Sequence, residues 1–511
     1  MRPVALLLLL AAPAAAEPRF IDRSDALPAP HVYAGGWTHF VGGGVAALDC
    51  NDDGRPDLVA AGGTNPMRLF VNATPAPGAP LRFDAGAFPE IAETTGAYPL
   101  DVDGYGTLDL AVLRVGPDRL LRGLGGCRFE DAPADWGFQA RDAWTASFAA
   151  TWEKGEDWPT LAFGHYVDRA DPKGPFEACD TSDLYRPQGR KYAGTETIQP
   201  GFCALSMLIS DWRRTGEREL RIANDRHYYV RGGYEQMFRL NPLAERTEGW
   251  DKVSLWGMGI ASRDLTGDGL PEVMTTSMGD QLLQINGPKG LTSAPYDIGT
   301  YAQRPFIGDD GRPATGWHAE FGDIDNDGRD DLFIAKGNVD QMPSNAMKDP
   351  NNLLMQGPDG RFVEMADKAG VATTARSRGA ALVDLDGDGR LDLVVVNRRA
   401  PMEVWQNDTP GTGHWLAVEP LMDGSNTRAV GAWVEVRADG RTQAQEITVG
   451  GGHAGGQAGP LHFGLGSATG AELRVVWPDG TVSDWATIAS DCRVTVRPQG
   501  TLLVLSEHRP G

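Results

Sequence analysis

Three stretches of the chain repeat one spacing of side-chain oxygens. Carboxylate or amide groups stand at positions one, three, five and nine of a nine-residue loop, with Gly at position six. The first copy is Asp49-Cys-Asn51-Asp-Asp53-Gly54-Arg-Pro-Asp57. The second is Asp323-Ile-Asp325-Asn-Asp327-Gly328-Arg-Asp-Asp331, and the third is Asp384-Leu-Asp386-Gly-Asp388-Gly389-Arg-Leu-Asp392. Hard oxygen donors without imidazole or thiolate suit Ca2+, which accepts roughly six to eight oxygens in flexible geometry. A backbone carbonyl at position seven and water complete such a set, whereas Mg2+ demands a tighter octahedron and is the poorer occupant. Without a cation the clustered carboxylates repel one another, so these loops call for a metal.

Weaker copies share the frame. Asp264, Thr266, Asp268 and Glu272 occupy the ligand positions of one, and are further candidate calcium ligands. In Asp101-Val-Asp103-Gly-Tyr105-Gly106-Thr-Leu-Asp109 the fifth position is Tyr, which favours a hairpin without an ion. The loop from Asp211 to Glu219 places Arg213 at the third position, and no metal is expected there. The competent loops predict roughly three to four Ca2+ per chain.

Each loop lies between two apolar runs, and the copies recur at intervals of roughly 50 to 60 residues. The step from Asp101 to Asp211 is about twice that, so an eroded copy is expected between Trp152 and Leu161, where Glu156 and Asp157 precede Leu161-Ala162-Phe163. Seven units follow. Units of this length hold four short strands each and pack radially as propeller blades. The fold class expected is therefore all-β, a seven-bladed β-propeller over residues 17–410, in preference to a solenoid, which needs capping repeats and short regular rungs. Residues 20–48 are expected to lend a strand to the last blade and close the ring. The stretch 165–205 departs from the period and reads as a long loop on one face.

After Asn407 the repeat stops. Residues 411–511 alternate apolar and polar side chains, as in Trp433–Arg437 and Leu473–Trp477, with hairpin turns at Asp439-Gly440 and Asp479-Gly480. This predicts a small β-sandwich-like domain. Its glycine-rich stretch Gly450–Gly456 is expected to pass close to another backbone.

The formal net charge is −22, which opposes binding to nucleic acid or an anionic membrane. The chain opens with Arg2, an apolar run from Val4 to Ala12 and a small-residue stretch ending at Ala16. That pattern reads as a signal peptide over residues 1–16, cleaved after Ala16, on a secreted or periplasmic protein. No later run reaches the roughly 20 apolar residues that a membrane span requires. Five cysteines in an oxidising compartment leave at least one unpaired. Cys179 and Cys203 bracket the insertion and are the favoured disulfide, with Cys50 and Cys127 second; spacing leaves the connectivity open. His453 and His462 read as hydrogen-bonded structural histidines. Asn72-Ala73-Thr74 and Asn407-Asp408-Thr409 match the glycosylation sequon.

The Asp loops resemble FG-GAP or VCBS repeats, the calcium loops of integrin-α-type propellers. Gly201-Phe-Cys203, Asn224–Tyr228, Trp256–Ala261, Ala335–Val339 and Ser377–Ala380 resemble the cartilage acidic protein (CRTAC) family. Gly451-Gly452-His453 and Trp477–Gly480 resemble the ASPIC/UnbV domain that ends those proteins. The resemblance implies calcium binding, secretion and an adhesion or recognition role toward an extracellular protein or glycan. It brings no catalytic residues with it. The leading reading is accordingly a non-enzymatic recognition protein whose propeller loops are made rigid by calcium. The alternative is a Ca2+-dependent carbohydrate-active enzyme, lyase or hydrolase, built around the central funnel. No nucleophile elbow, zinc motif or phosphate loop is present in the sequence to specify such chemistry.

Overall fold

A computed structural model describes residues 16–225, 232–301, 312–340, 342–499 and 502–508, the last of these as backbone. The expected signal peptide up to residue 15, and Arg226, His227 and Tyr228 of the family-like motifs, lie outside the described residues.

Strands dominate the chain, and the sole α-helix among the described residues is Ala366–Ala369. Seven antiparallel meanders follow one another, each of four strands. Their first strands are Val45–Leu48, Thr94–Leu100, Asp142–Thr151, Ala204–Ser210, Gly257–Arg263, Gly316–Gly322 and Ser377–Val383. The seventh meander has three strands from its own stretch of chain, and the N-terminal strand Phe20–Asp22 adds as its fourth by pairing with Glu403–Asn407. First strands pack against first strands in chain order, and Ser377–Val383 packs back against Val45–Leu48. The arrangement is propeller-like.

The period that organises the sequence reappears as an identical register. The residue before each loop pairs with the loop's ninth position: Leu48 with Asp57, Leu100 with Asp109, Ser210 with Glu219, Arg263 with Glu272, Gly322 with Asp331 and Val383 with Asp392. The eroded copy obeys the same rule, since Thr151 pairs with Thr160 across the turn that begins at Trp152. All seven loops therefore join the first strand of a meander to its second and emerge on one face.

Neighbouring meanders are clasped by asparagines. Asn72 Nδ2 donates to Leu385 O in the seventh meander at 2.7 Å, Asn286 Nδ2 to Trp212 O at 2.6 Å, and Asn407 Nδ2 to Ile324 O at 3.0 Å. Asn72 and Asn407 are the two sequon residues. Both are buried with the amide nitrogen engaged, so the sequon match has a structural cause and offers no acceptor to a glycan. Replacing Asn72 by Ala strands the Leu385 carbonyl, and should cost about 1–3 kcal/mol of stability in urea unfolding. An effect below about 0.5 kcal/mol would show the clasp to be idle.

The 165–205 stretch is not a plain loop. It supplies the third and fourth strands of its meander, Ser182–Tyr185 and Glu196–Ile198, and it is closed by Cys179–Cys203. Leu184, Tyr185 and Ile198 bury themselves there, a pattern too short to stand out from the Pro- and Gly-rich surroundings. Cys50–Cys127 ties the first meander to the second, and Cys492 is buried outside both disulfides.

The C-terminal region forms two facing four-stranded sheets. One contains His414–Pro420, Leu461–Gly466, Cys492–Gln499 and Leu502–His508; the other contains Trp433–Ala438, Arg441–Glu446, Gly470–Val476 and Ala486–Ala489. Leu416, Val418, Val434, Val436, Phe463 and Leu473 fill the space between them. Ala438 pairs with Arg441 across Asp439-Gly440, both at positive φ, the two-residue hairpin that the sequence predicts.

Candidate metal centre

The loop conformation is dictated from its first residue. Asp323 accepts from the amides of Asp327 at 3.0 Å and Gly328 at 2.7 Å, and Asp384 from those of Asp388 at 3.2 Å and Gly389 at 2.9 Å. The sixth residue must hold a positive φ, 86° at Gly328 and 84° at Gly389, which Gly tolerates without strain. The Asp211 loop, which lacks the ligand set, still folds this way, with Gly216 at φ 83° donating to Asp211. Turn geometry and metal competence are thus separate properties of one motif.

Side-chain oxygens of Asp323, Asp325 and Asp331 lie within 4.8 Å of one another, and so do those of Asp384, Asp386 and Asp392. That span is about twice a Ca–O distance of roughly 2.4 Å, so one cation can touch all three. The donor set fits a hard divalent cation. Burial, then the neighbouring Asp386 and Asp388, push Asp384 up to about 8, and Asp323 and Asp331 are driven well above the carboxylate range. A cation inserted among them would relieve both causes.

The remaining predicted ligands behave differently. Asp327 and Asp388, at the fifth position, turn toward Arg329 and Arg390 at the seventh, and pair with them. The ninth position has a second duty: Asp331 accepts from the amides of Ile324 and Gln356, and Asp392 from those of Leu385 and Asn407. Asp57 and Glu272 hold the same pair of amide contacts. In the Asp49 and Asp264 loops the third position is Asn51 or Thr266, and Asp53 and Asp268 stay exposed, so fewer carboxylates converge. Asp57 also sits beside Cys50 and Cys127, whose sulfurs are spent in a disulfide and are no metal ligands.

Tyr105 at the fifth position favours an ion-free Asp101 loop, yet Asp101, Asp103 and Asp109 gather within the same 4.8 Å as the trios of the Asp323 and Asp384 loops. Here the protein supplies its own cation. Arg122 pairs with Asp103 at 2.9 Å, and both Arg122 and Arg190 lie over the Tyr105 ring. The retained Asp at positions one, three and nine was the available signal; Arg122, on the third strand of that meander, was not.

The face that carries these loops is covered by the C-terminal sandwich. Arg493 Nη1 donates to Gly54 O at 3.0 Å, Thr427 hydrogen-bonds Asp101, Glu446 accepts from Asp211 N at 3.2 Å, and Arg214 pairs with Glu435 at 2.6 Å. From the sandwich a glycine-rich stalk, residues 449–458, enters the space enclosed by the first strands and meets all seven. Ala47, Ala97 and Ala150 donate to Gly456, Ala454 and Val449. Gly451 and Gly452 donate to Met207 O and Ile260 O, His453 N donates to His318, and Gln457 donates to Leu382 O. The close backbone approach expected of this stretch is thus made to five of the first strands, and side chains make the contact to the other two.

From the opposite side residues 40–43 close the axis. Gly42 N donates to His453 Nε2 at 3.0 Å, which leaves the proton on Nδ1, facing Met258 O at 3.3 Å. Burial lowers His453 to about 3, so it is neutral and structural, as expected. The stalk and residues 40–43 thus occupy the space between the first strands. A cleft of about 1180 Å³ remains around the stalk, between Ile260 and Phe321 of the meanders and Trp415, Met422 and Trp433 of the sandwich.

Repeated Asp loops covered by a terminal sandwich match the pattern of FG-GAP-like repeats with an ASPIC/UnbV segment. The family model described as FG-GAP-like repeat matches residues 323–395, and the one described as ASPIC and UnbV matches residues 422–502. Among characterised proteins the chain is similar to cartilage acidic protein 1. The human protein is 26% identical over 162 residues, which are 31% of this chain and 24% of that protein. The Xenopus tropicalis protein is 31% identical over 111 residues, 21% of this chain and 17% of that one. The chain thus matches about a quarter or less of these relatives' length, and the CRTAC-like combination of repeat and terminal segment stands. Among solved structures, BBS1N in its complex with ARL6DN aligns at TM-score 0.45 and 10% identity, over 78% of this chain and 99% of that one. No described helix is long and apolar enough to cross a membrane.

Proposed function

We propose that this chain is a secreted, calcium-binding recognition or adhesion protein: a seven-bladed propeller over residues 17–410 and a cap over 411–511, with an extracellular protein or glycan as partner. The cyclic packing of first strands and the added strand Phe20–Asp22 support the closed ring. One observation carries the calcium reading. Two loops, 61 residues apart in their first positions 323 and 384, bring three carboxylates each to a common point on one face. Similarity to cartilage acidic protein 1 and the disulfides support secretion.

Metal analysis of the protein purified without chelator tests this. The expected content is roughly three to four Ca2+ per chain, with the Asp323 and Asp384 loops tightest and the Asp49 and Asp264 loops weaker. Zinc, or no metal, would remove the reading. Asp325→Ala should abolish one site and leave the others, because each loop supplies its own ligands. A calorimetric titration that lost every site together would contradict the independence of the loops.

A further inference from the structure

The Asp323 loop does more than gather oxygens. The backbone between its third and fifth positions is also where the cap is fastened. Gly413 N donates to Asp325 O at 2.9 Å and Gly466 N to Asn326 O at 2.8 Å. These two amides flank the cap strands His414–Pro420 and Leu461–Gly466, so the loop tip continues the hydrogen bonding of that sheet. Asn326 stands at φ 57° and sends its Nδ2 to Gly389 O of the Asp384 loop at 2.9 Å. That fixes its amide orientation, and His462 Nε2 therefore donates to Asn326 Oδ1, at 2.7 Å.

The cap also leans on the loops without slack. A Cβ on Gly464 would fall 1.8 Å from Asp323 Oδ2, and a Cβ on Gly389 would fall 2.0 Å from the Trp415 ring. At the Asp49, Asp101 and Asp211 loops the cap is held through side chains. At the Asp323 loop, by contrast, two consecutive backbone carbonyls bear it.

We propose that the Asp323 loop is an interdomain latch, in which cation binding and seating of the C-terminal cap are one coupled equilibrium. Coordination by Asp323, Asp325 and Asp331 and donation from Gly413 and Gly466 require the same conformation of residues 325–327. Whatever fixes that conformation for one favours the other, and the coupling is reciprocal. Extracellular calcium then sets how firmly the cap is seated, and with it access to the cleft around the stalk. The inference rests on the calcium reading above.

Hydrogen exchange on the full chain tests it, with calorimetry in parallel to show whether calcium binds. In calcium the amides of Gly413 and Gly466 should exchange at least about five-fold more slowly than in chelator, the lower end of ordinary coupling. Asp325→Asn should abolish that difference while Asp49→Asn preserves it, because a general stabilisation would act through any site. His462→Ala should weaken one calcium site by about five-fold or more. Should that variant not fold, exchange in the unaltered chain still decides. Calcium binding with unchanged exchange at Gly413 and Gly466, or protection that survives Asp325→Asn, overturns the latch and leaves the calcium reading intact. Absence of calcium binding overturns both.

Discussion

Chelation of calcium is expected to lower the melting temperature of the full chain by about 4 °C, and the loss should reverse on returning calcium but not magnesium. Sites of extracellular type have dissociation constants on the order of 10⁻⁴ to 10⁻³ M. At about ten times that concentration each site adds about 1.4 kcal/mol, and three add about 4 kcal/mol. For a cooperative unit of this length a degree corresponds to about 1 kcal/mol, which gives the shift. The physical cause is the carboxylates that burial and mutual repulsion hold far above their ordinary range in the Asp323 and Asp384 loops. The chelated protein should remain folded, because the sheets, clasps and stalk involve no metal. Thermal scans in chelator, calcium and magnesium provide the check. Coincident curves in all three would refute a structural role for the ion.

The largest single-residue effect is expected at Gly96→Ala. A Cβ there would lie 1.7 Å from Ala454 O, and a Cβ on Gly44 would lie 1.8 Å from the same atom. The stalk carbonyl is held between Gly44, just before the first strand of one meander, and Gly96 in the first strand of the next, so a Cβ on either would press on backbone. The loss should exceed about 3 kcal/mol, at the upper end of overpacking costs, and is not a φ effect, since the backbone at Gly96 lies outside the positive-φ region. Gly287, where an added Cβ would meet nothing within 4 Å, serves as control; Gly287→Ala should change stability by less than about 0.5 kcal/mol. Urea unfolding followed by two probes, one reporting the meanders and one the sandwich, should show both shifting together. If Gly96→Ala matched the control, or only one probe moved, the stalk would not be the axle of the molecule.

Local and periodic features were legible in the amino-acid sequence. The Asp loops, the hidden seventh unit near Trp152, the Asp439-Gly440 hairpin and the sandwich pattern each depend on residues close together along the chain. Both disulfides matched the favoured pairs, though spacing alone ranked them and did not decide between connectivities. The insertion reads as a loop in the sequence because its two short strands are defined by partners in the same meander, and not by any strong alternation of their own. Within the loops, spacing identified which oxygens are present but not which converge. Asp327 turning to Arg329 is decided by competition within the loop itself, and Arg122 neutralising Asp103 by a neighbour brought in from another strand of the meander.

By itself, then, the sequence determined an all-β repeat, its unit length, its candidate calcium ligands and the separate character of the last hundred or so residues. Hydrogen-bond register and turn chemistry act over a few residues, and a period makes them visible. Tertiary structure alone decided that Gly450–Gly456 runs between the first strands, that residues 40–43 meet it there, that Asn72 clasps the first meander to the seventh, and that the cap sits on the face that carries the Asp loops. Those contacts join residues hundreds of positions apart. A glycine announces only that a backbone can come close; which backbone does so is settled by how the meanders pack against one another.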